Sequence, residues 1–203
     1  MAGAESRGPR DLAAVVDVET TGLSPEHDEM VEIAIVLFAF DRGTGAVAGA
    51  TARYVGLRQP RVPISPAATA VHGLTLASLR GRAFDDARIR SLLGQAELLI
   101  AHNASFDRGF LARTYAEAGV RPWLCTMRDI DWRGRGLTGP RSLGSLLQAH
   151  GIVAGGAHRA GADCEATFRL LGGPERLGGG RPYLHEMLAR RGLLEAPGRA
   201  SGG

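Results

Sequence analysis

Three short segments of this 203-residue chain carry residue types able to do chemistry. In VVDVETTGL, Asp17 and Glu19 stand two apart at the end of an apolar run. Side chains at i and i+2 of a strand leave from one face, so the two carboxylates converge. Like charges at the edge of a core repel and lose hydration, so the pair calls for paired cations or a divalent metal. No arginine lies nearby in sequence, so a basic partner must come from elsewhere in the fold. Taken alone, an Asp-x-Glu pair is more often a solvated strand end. The second segment, AHNASFDRGFL, puts Asp107 in the first turn of a helix that Ser105 can cap. The helix dipole alone explains an acid there. The third, HRAGADCEATFRLL, puts Asp163 in the first turns of an amphipathic helix with His158 on the approach. The glycine-rich stretch 153–157 before it reads as a mobile loop. A histidine on such a loop can swing toward solvent and back, which suits proton transfer. The bland alternative is a surface histidine beside a capping acid.

These groups need a frame. The run 12–18 predicts a buried strand, 30–40 a second, and 46–57 a third, with turn chemistry in 41–45. Short connections make the three an antiparallel meander. Helices are predicted over 66–72, 76–80 and 85–95, then a short strand over 98–101. A helix over 105–118 ends at Gly119, and a strand over 123–126 follows. Apolar spacings of three and four predict helices over 142–150 and 160–171. Five glycines in 172–180 predict a flexible linker, and a last helix over 182–191 either packs back or projects. Strands first, then alternating helices and strands, indicate a mixed α/β layer fold. The expected organisation is a flexible 1–10, a domain over 11–172, and a linker, short helix and flexible tail over 173–203. There is no internal repeat.

Bulk properties narrow the classes. A hydrophobic fraction of 44% is ordinary for a globular chain. The apolar run 30–40 contains Glu32 and is too short for a bilayer, and MAGAESRGPR lacks the apolar core of a secretory signal. The expectation is a cytoplasmic protein with no membrane contact, both cysteines, Cys125 and Cys164, being reduced. All 24 basic residues are arginine, which tracks GC-rich coding. Arginine nevertheless presents a planar fork suited to phosphate. A net charge of +3 permits a polyanionic partner without demanding one.

In combination the three segments resemble the DEDDh branch of the DEDD exonuclease superfamily, which includes DnaQ-type proofreading exonucleases, ribonuclease T and oligoribonuclease. The order is Asp17-x-Glu19, then Asp107, then His158-x-x-x-x-Asp163, and the resemblance runs from about 13 to 171. VHGLT, 71–75, matches a further segment common in that family. The resemblance implies a ribonuclease-H-like three-layer α/β fold, a central mixed five-stranded sheet flanked by helices. It implies that Asp17, Glu19, Asp107 and Asp163 hold two Mg²⁺ or Mn²⁺ ions, roughly 4 Å apart in two-metal chemistry. Asp17 would bridge both, Glu19 and Asp163 would hold the nucleophile-side ion and Asp107 the other, with His158 as general base toward the attacking water. Thr20, Thr21, Gly22 and Leu23 would meet the terminal sugar and base, glycine allowing close backbone approach. His72, Asn103 and Phe106 are further expected contacts, the aromatic for stacking, with a core or capping role nearly as good for His72. Arg128, Arg133, Arg135 and Arg141 are read as a phosphate-tracking loop, with a solvated charged loop as competitor.

Three functions follow in order. The first is a metal-dependent 3′–5′ exonuclease on single-stranded DNA, releasing nucleoside 5′-monophosphates in proofreading or repair. The second is an exoribonuclease. The third is a noncatalytic polymerase- or nucleic-acid-binding module, which intact acids disfavour. The expected partner is a single-stranded 3′ end, DNA ahead of RNA, and a DNA polymerase or repair protein is the further candidate. The short glycine-rich segment 172–203 favours a stand-alone enzyme over a proofreading subunit.

Overall fold

The computed structural model describes residues 11–153, 155, 158–173 and 177–194. Expectations for 1–10, for positions 154, 156 and 157 of the loop before His158, for 174–176 and for the tail from 195 lie outside the described residues.

Strands β1 (Asp11–Thr20), β2 (Met30–Phe40) and β3 (Val47–Leu57) form the predicted antiparallel meander. Strands β4 (Leu98–Ala101) and β5 (Trp123–Cys125) add in parallel on the other side of β1, giving the order β3-β2-β1-β4-β5. Helices on both faces explain why β1 and β2 are apolar almost without alternation. On one face, Ala13, Val15, Ala34, Val36 and Phe38 pack under α6 (Leu143–Ala149), α7 (Ala160–Gly172) and α8 (Tyr183–Arg190). On the other, Ala14, Val16, Ile33, Ile35 and Leu37 pack under α3 (Asp86–Gln95), α4 (Ala104–Thr114) and α5 (Ala116–Val120). The fold is the mixed five-stranded, helix-flanked α/β sheet that was expected.

Local chemistry sets the element ends. Helix α1 (Pro66–His72) starts on the Ser65 side chain with proline in its first turn and stops at Gly73, φ 71°. The capping box of Thr75 and Ser78 opens α2 (Leu76–Leu79). The helix expected over 105–118 is instead two. Tyr115 is extended (φ −127°, ψ 112°), fully buried, and gives its hydroxyl proton to Asp86 on α3. Gly119 therefore lies inside α5 rather than ending a helix. Nor does Ser105 cap α4: the cap position is Asn103 in the left-handed region, φ 65°. The last helix packs back, burying Tyr183, Leu184, Met187 and Leu188. No helix among the described residues is long and apolar enough to cross a membrane.

Candidate active site

The parity of β1 decides where its acids go. Ala13 and Val15 face the layer of α6, α7 and α8, and Asp17 and Glu19 continue that face past the end of the core. Helix α7 crosses this face; the Cys164 thiol donates to the Val15 carbonyl at 3.2 Å, which brings the adjacent Asp163 to the strand end. One oxygen each from Asp17, Glu19 and Asp163 then lies within 4.8 Å of the others. Burial, followed by Asp107, Glu19 and Asp163, pushes the Asp17 carboxyl well above the usual range. Glu19 is pushed up to about 7, first by burial, then by Glu32 and Asp163. Burial also raises Asp163, while the backbone N–H of His158 opposes it. Three converging oxygen donors that repel unless protonated or bound to a cation fit a hard divalent metal.

Asp107 arrives from the opposite helix layer. It is 2% exposed, and its Oδ1 accepts the Val18 N–H at 3.2 Å, tying the first turn of α4 to β1 between the two strand acids. Burial raises its carboxyl too, with the α4 backbone and Val18 N–H opposing. It stands outside the tight trio yet is the largest charge acting on Asp17.

His158 is exposed, has φ 60°, and gives its backbone N–H to Asp163 Oδ2 at 3.2 Å. A basic residue does arrive from elsewhere in the fold, but its bonds go to Glu32, 127 positions away, rather than to Asp17 or Glu19. Arg159 grips that buried acid with Nε–H at 2.9 Å and a second N–H at 2.8 Å. Sequence reading missed Glu32; an acid inside the most apolar strand was the available signal.

Two clefts flank the acids. One, about 320 Å³, is lined by Glu19, Thr20, Gly22, Leu23, His72 and Phe106 among others, with Leu23 84% exposed. Thr21 and Asn103 do not line it. Both threonine hydroxyls are engaged within the loop, Thr20 donating to the Gly22 carbonyl and Thr21 donating to Asp28 at 2.9 Å. His72 has both ring nitrogens bonded: Nδ1 accepts from Leu74 N–H at 3.0 Å and Nε2 donates to the Thr20 carbonyl at 3.1 Å. It holds the loop as well as lining the cleft. A Cβ on Gly22 would stand 2.5 Å from Asp28 Oδ2, so a larger residue would displace the carboxylate that accepts from Thr21 Oγ1 and the Ser24 N–H. The other cleft, about 480 Å³, is lined by Asp17, His158, Asp163, Met127, Ser142 and His102. His102, which sequence reading did not single out, bonds Thr126 through Nδ1 at 2.9 Å, and burial lowers its ring to about 4. It is therefore neutral near pH 7.

The arginine-loop expectation is corrected at one position. Arg135 is spent on structure: it pairs with Glu186 at 2.9 Å, lies 4.6 Å over the Tyr183 ring, and donates to the Leu177, Gly179 and Arg181 carbonyls. Arg128, Arg133 and Arg141 are exposed. Both cysteines are free and buried.

This geometry matches known proteins. The exonuclease family model matches residues 14–171. The PolC-type DNA polymerase III of Streptococcus suis is 31% identical over 168 residues, 77% of this chain and 11% of its own length. The 3′-5′ exonuclease DinG of Staphylococcus saprophyticus is 26% identical over 164 residues, 78% of this chain and 17% of its own. The chain thus spans a small part of these curated relatives. Exonuclease X in complex with 5′ overhanging duplex DNA aligns at TM-score 0.55 and 31% identity, covering 78% of this chain and 88% of that one. Escherichia coli exonuclease I with a dT13 oligonucleotide aligns at TM-score 0.64 and 22% identity over 79% and 40%, a likeness of fold. Sheet order and flanking layers define an α/β domain of the ribonuclease-H-like class. Within that class, the chain belongs to the DnaQ-like, DEDDh-type 3′–5′ exonuclease family.

Proposed function

We propose that this domain removes nucleotides from the 3′ end of a single-stranded nucleic acid, DNA ahead of RNA, releasing nucleoside 5′-monophosphates. The observation that carries the reading is the convergence of Asp17, Glu19 and Asp163 within 4.8 Å between two clefts. Two Mg²⁺ or Mn²⁺ ions held by these acids and Asp107 would supply Lewis acidity at the scissile phosphate and acidify the attacking water. The protein's own groups do the rest. His158, exposed beside Asp163, takes the proton of the attacking water. Leu23 and Phe106 border the cleft next to Glu19, where the terminal base packs, and the Gly22 backbone lets the sugar approach. Identity with exonuclease X, solved with DNA, supports DNA as substrate. Similarity to PolC-type polymerases supports a polymerase or repair setting for the domain.

The test uses matched 5′-labelled single-stranded DNA and RNA with Mg²⁺, Mn²⁺ or chelator, beside Asp17→Asn. The expected result is a metal-dependent ladder shortening from the 3′ end, faster on DNA, and at least about 100-fold slower in the variant. A faster RNA ladder would transfer the substrate assignment to RNA. No ladder from folded, metal-supplied protein would remove the exonuclease reading in favour of a binding module.

A further inference from the structure

Glu32 is an acid that the metal site does not use. It is 2% exposed and lies directly opposite Glu19 in the β1–β2 register. Opposed residues of an antiparallel pair share a face, so the two carboxylates are neighbours. Both oxygens of Glu32 are nonetheless taken. Oε2 accepts Arg159 Nε–H at 2.9 Å and the Ala160 N–H at 3.1 Å, and Oε1 accepts the other arm of Arg159 at 2.8 Å. A planar fork on a buried carboxylate fixes direction as well as distance.

What that fork fixes is the approach to α7. The Arg159 carbonyl accepts the Asp163 N–H at 3.0 Å, and His158 just before it gives its own N–H to Asp163 Oδ2. His158 also sits at φ 60°, in the left-handed region that residues with a side chain adopt uncommonly. Asp163 holds this short segment from one side and Glu32 from the other.

We propose that Glu32 is a positioning residue: through Arg159 it sets His158 and the first turn of α7, and it keeps the Arg159 cation off the metal-binding acids. The proposal rests on reading the carboxylate trio as a metal site and His158 as the base. Its electrostatic half follows from position, since the Arg159 guanidinium sits on the acid that stands directly opposite Glu19 in the β1–β2 pair. With Glu32 uncharged, the guanidinium is freed to pair with Glu19 and compete with the metal.

The test measures Mn²⁺ binding directly, by calorimetry or paramagnetic resonance, together with kcat and KM on a labelled oligonucleotide. Glu32→Gln is expected to weaken Mn²⁺ binding about 10-fold and to lower kcat by roughly 10- to 100-fold. The charge-balanced Glu32→Gln/Arg159→Gln pair is expected to regain Mn²⁺ affinity while kcat stays low and KM near wild type. A purely structural defect would not separate those two readouts. Glu32→Asp keeps the charge but shortens the reach, so kcat falls with Mn²⁺ affinity held; it carries the test if Glu32→Gln does not fold. Wild-type affinity and kcat in folded Glu32→Gln or Glu32→Asp would overturn the proposal, provided Asp17→Asn in parallel is inactive. If Asp17→Asn also binds Mn²⁺ and turns over normally, the underlying site reading falls instead.

Discussion

Single residues at the end of β1 hold a charge arrangement that works against the metal-free fold. Glu19 shows the sign. Its carboxyl moves from an ordinary 4.5 to about 7, first through burial, then through Glu32 and Asp163, with Arg159 opposing. The folded state thus binds the Glu19 proton more tightly than the unfolded chain. The stabilisation is complete below about 4.5 and is lost as pH rises through about 7. Asp17, Asp107 and Asp163 are raised in the same direction and add to the slope. In chelator, the thermal midpoint should therefore fall by several degrees from pH 5 to pH 8. Glu19→Gln should flatten that dependence, and saturating Mn²⁺ should lift the high-pH end. Circular-dichroism melts across this range check it. A midpoint in chelator independent of pH would mean that the acids are better solvated than their burial indicates.

Elements were legible where one local pattern decides them and illegible where a distant contact does. The strands carrying Asp17 and Glu32 could be read directly, because a sheet covered on both faces writes unbroken apolar runs into its sequence. Strand parity put Asp17 and Glu19 on one face and helix periodicity put Asp163 at the start of α7. Each signal alone fitted a solvated or capping acid, and only their combined order, through the family resemblance, made them candidates. The Glu32–Arg159 grip was not legible, because residues 127 positions apart leave no mutual signal in one sequence. The break between α4 and α5 was hidden for the same reason. Nothing in RTYAEAG forbids a helix; Asp86, 29 positions earlier, takes the Tyr115 hydroxyl proton at 2.7 Å, and the ring is buried against α3 and α4. Tyr115→Phe, losing one hydrogen bond, should cost about 1 kcal/mol, and Tyr115→Ala, which leaves a cavity, about 3–5 kcal/mol. Urea unfolding measures both; equal losses would show that the hydroxyl, not ring packing, sets the break.

At the scale of the whole molecule, the candidate site draws on both helix layers, with Asp163 at the start of α7 in one and Asp107 in the first turn of α4 in the other. The sheet lies between these layers, each of which packs its own core against one sheet face. Helix α8 belongs to that argument although it supplies none of the three clustered carboxylates. Its Tyr183 packs on Trp132 with centroids 5.0 Å apart and shares a 2.6 Å hydrogen bond with His150, locking α6 and the β5 loop into the core. Leu184 and Met187 are fully buried there. Leu184→Ala or Met187→Ala should cost about 2–5 kcal/mol, the range for truncating a buried aliphatic side chain. Because these side chains lie away from the acids, their effect should add to that of metal binding rather than couple to it. Mn²⁺ at 100 times its dissociation constant should stabilise wild type and either variant alike, by about 2.7 kcal/mol for each ion bound. Denaturant midpoints with and without Mn²⁺ give both quantities. A smaller metal increment in the α8 variants would mean that this helix reaches the carboxylates through α7, and that the two layers hold the site less independently than their packing indicates.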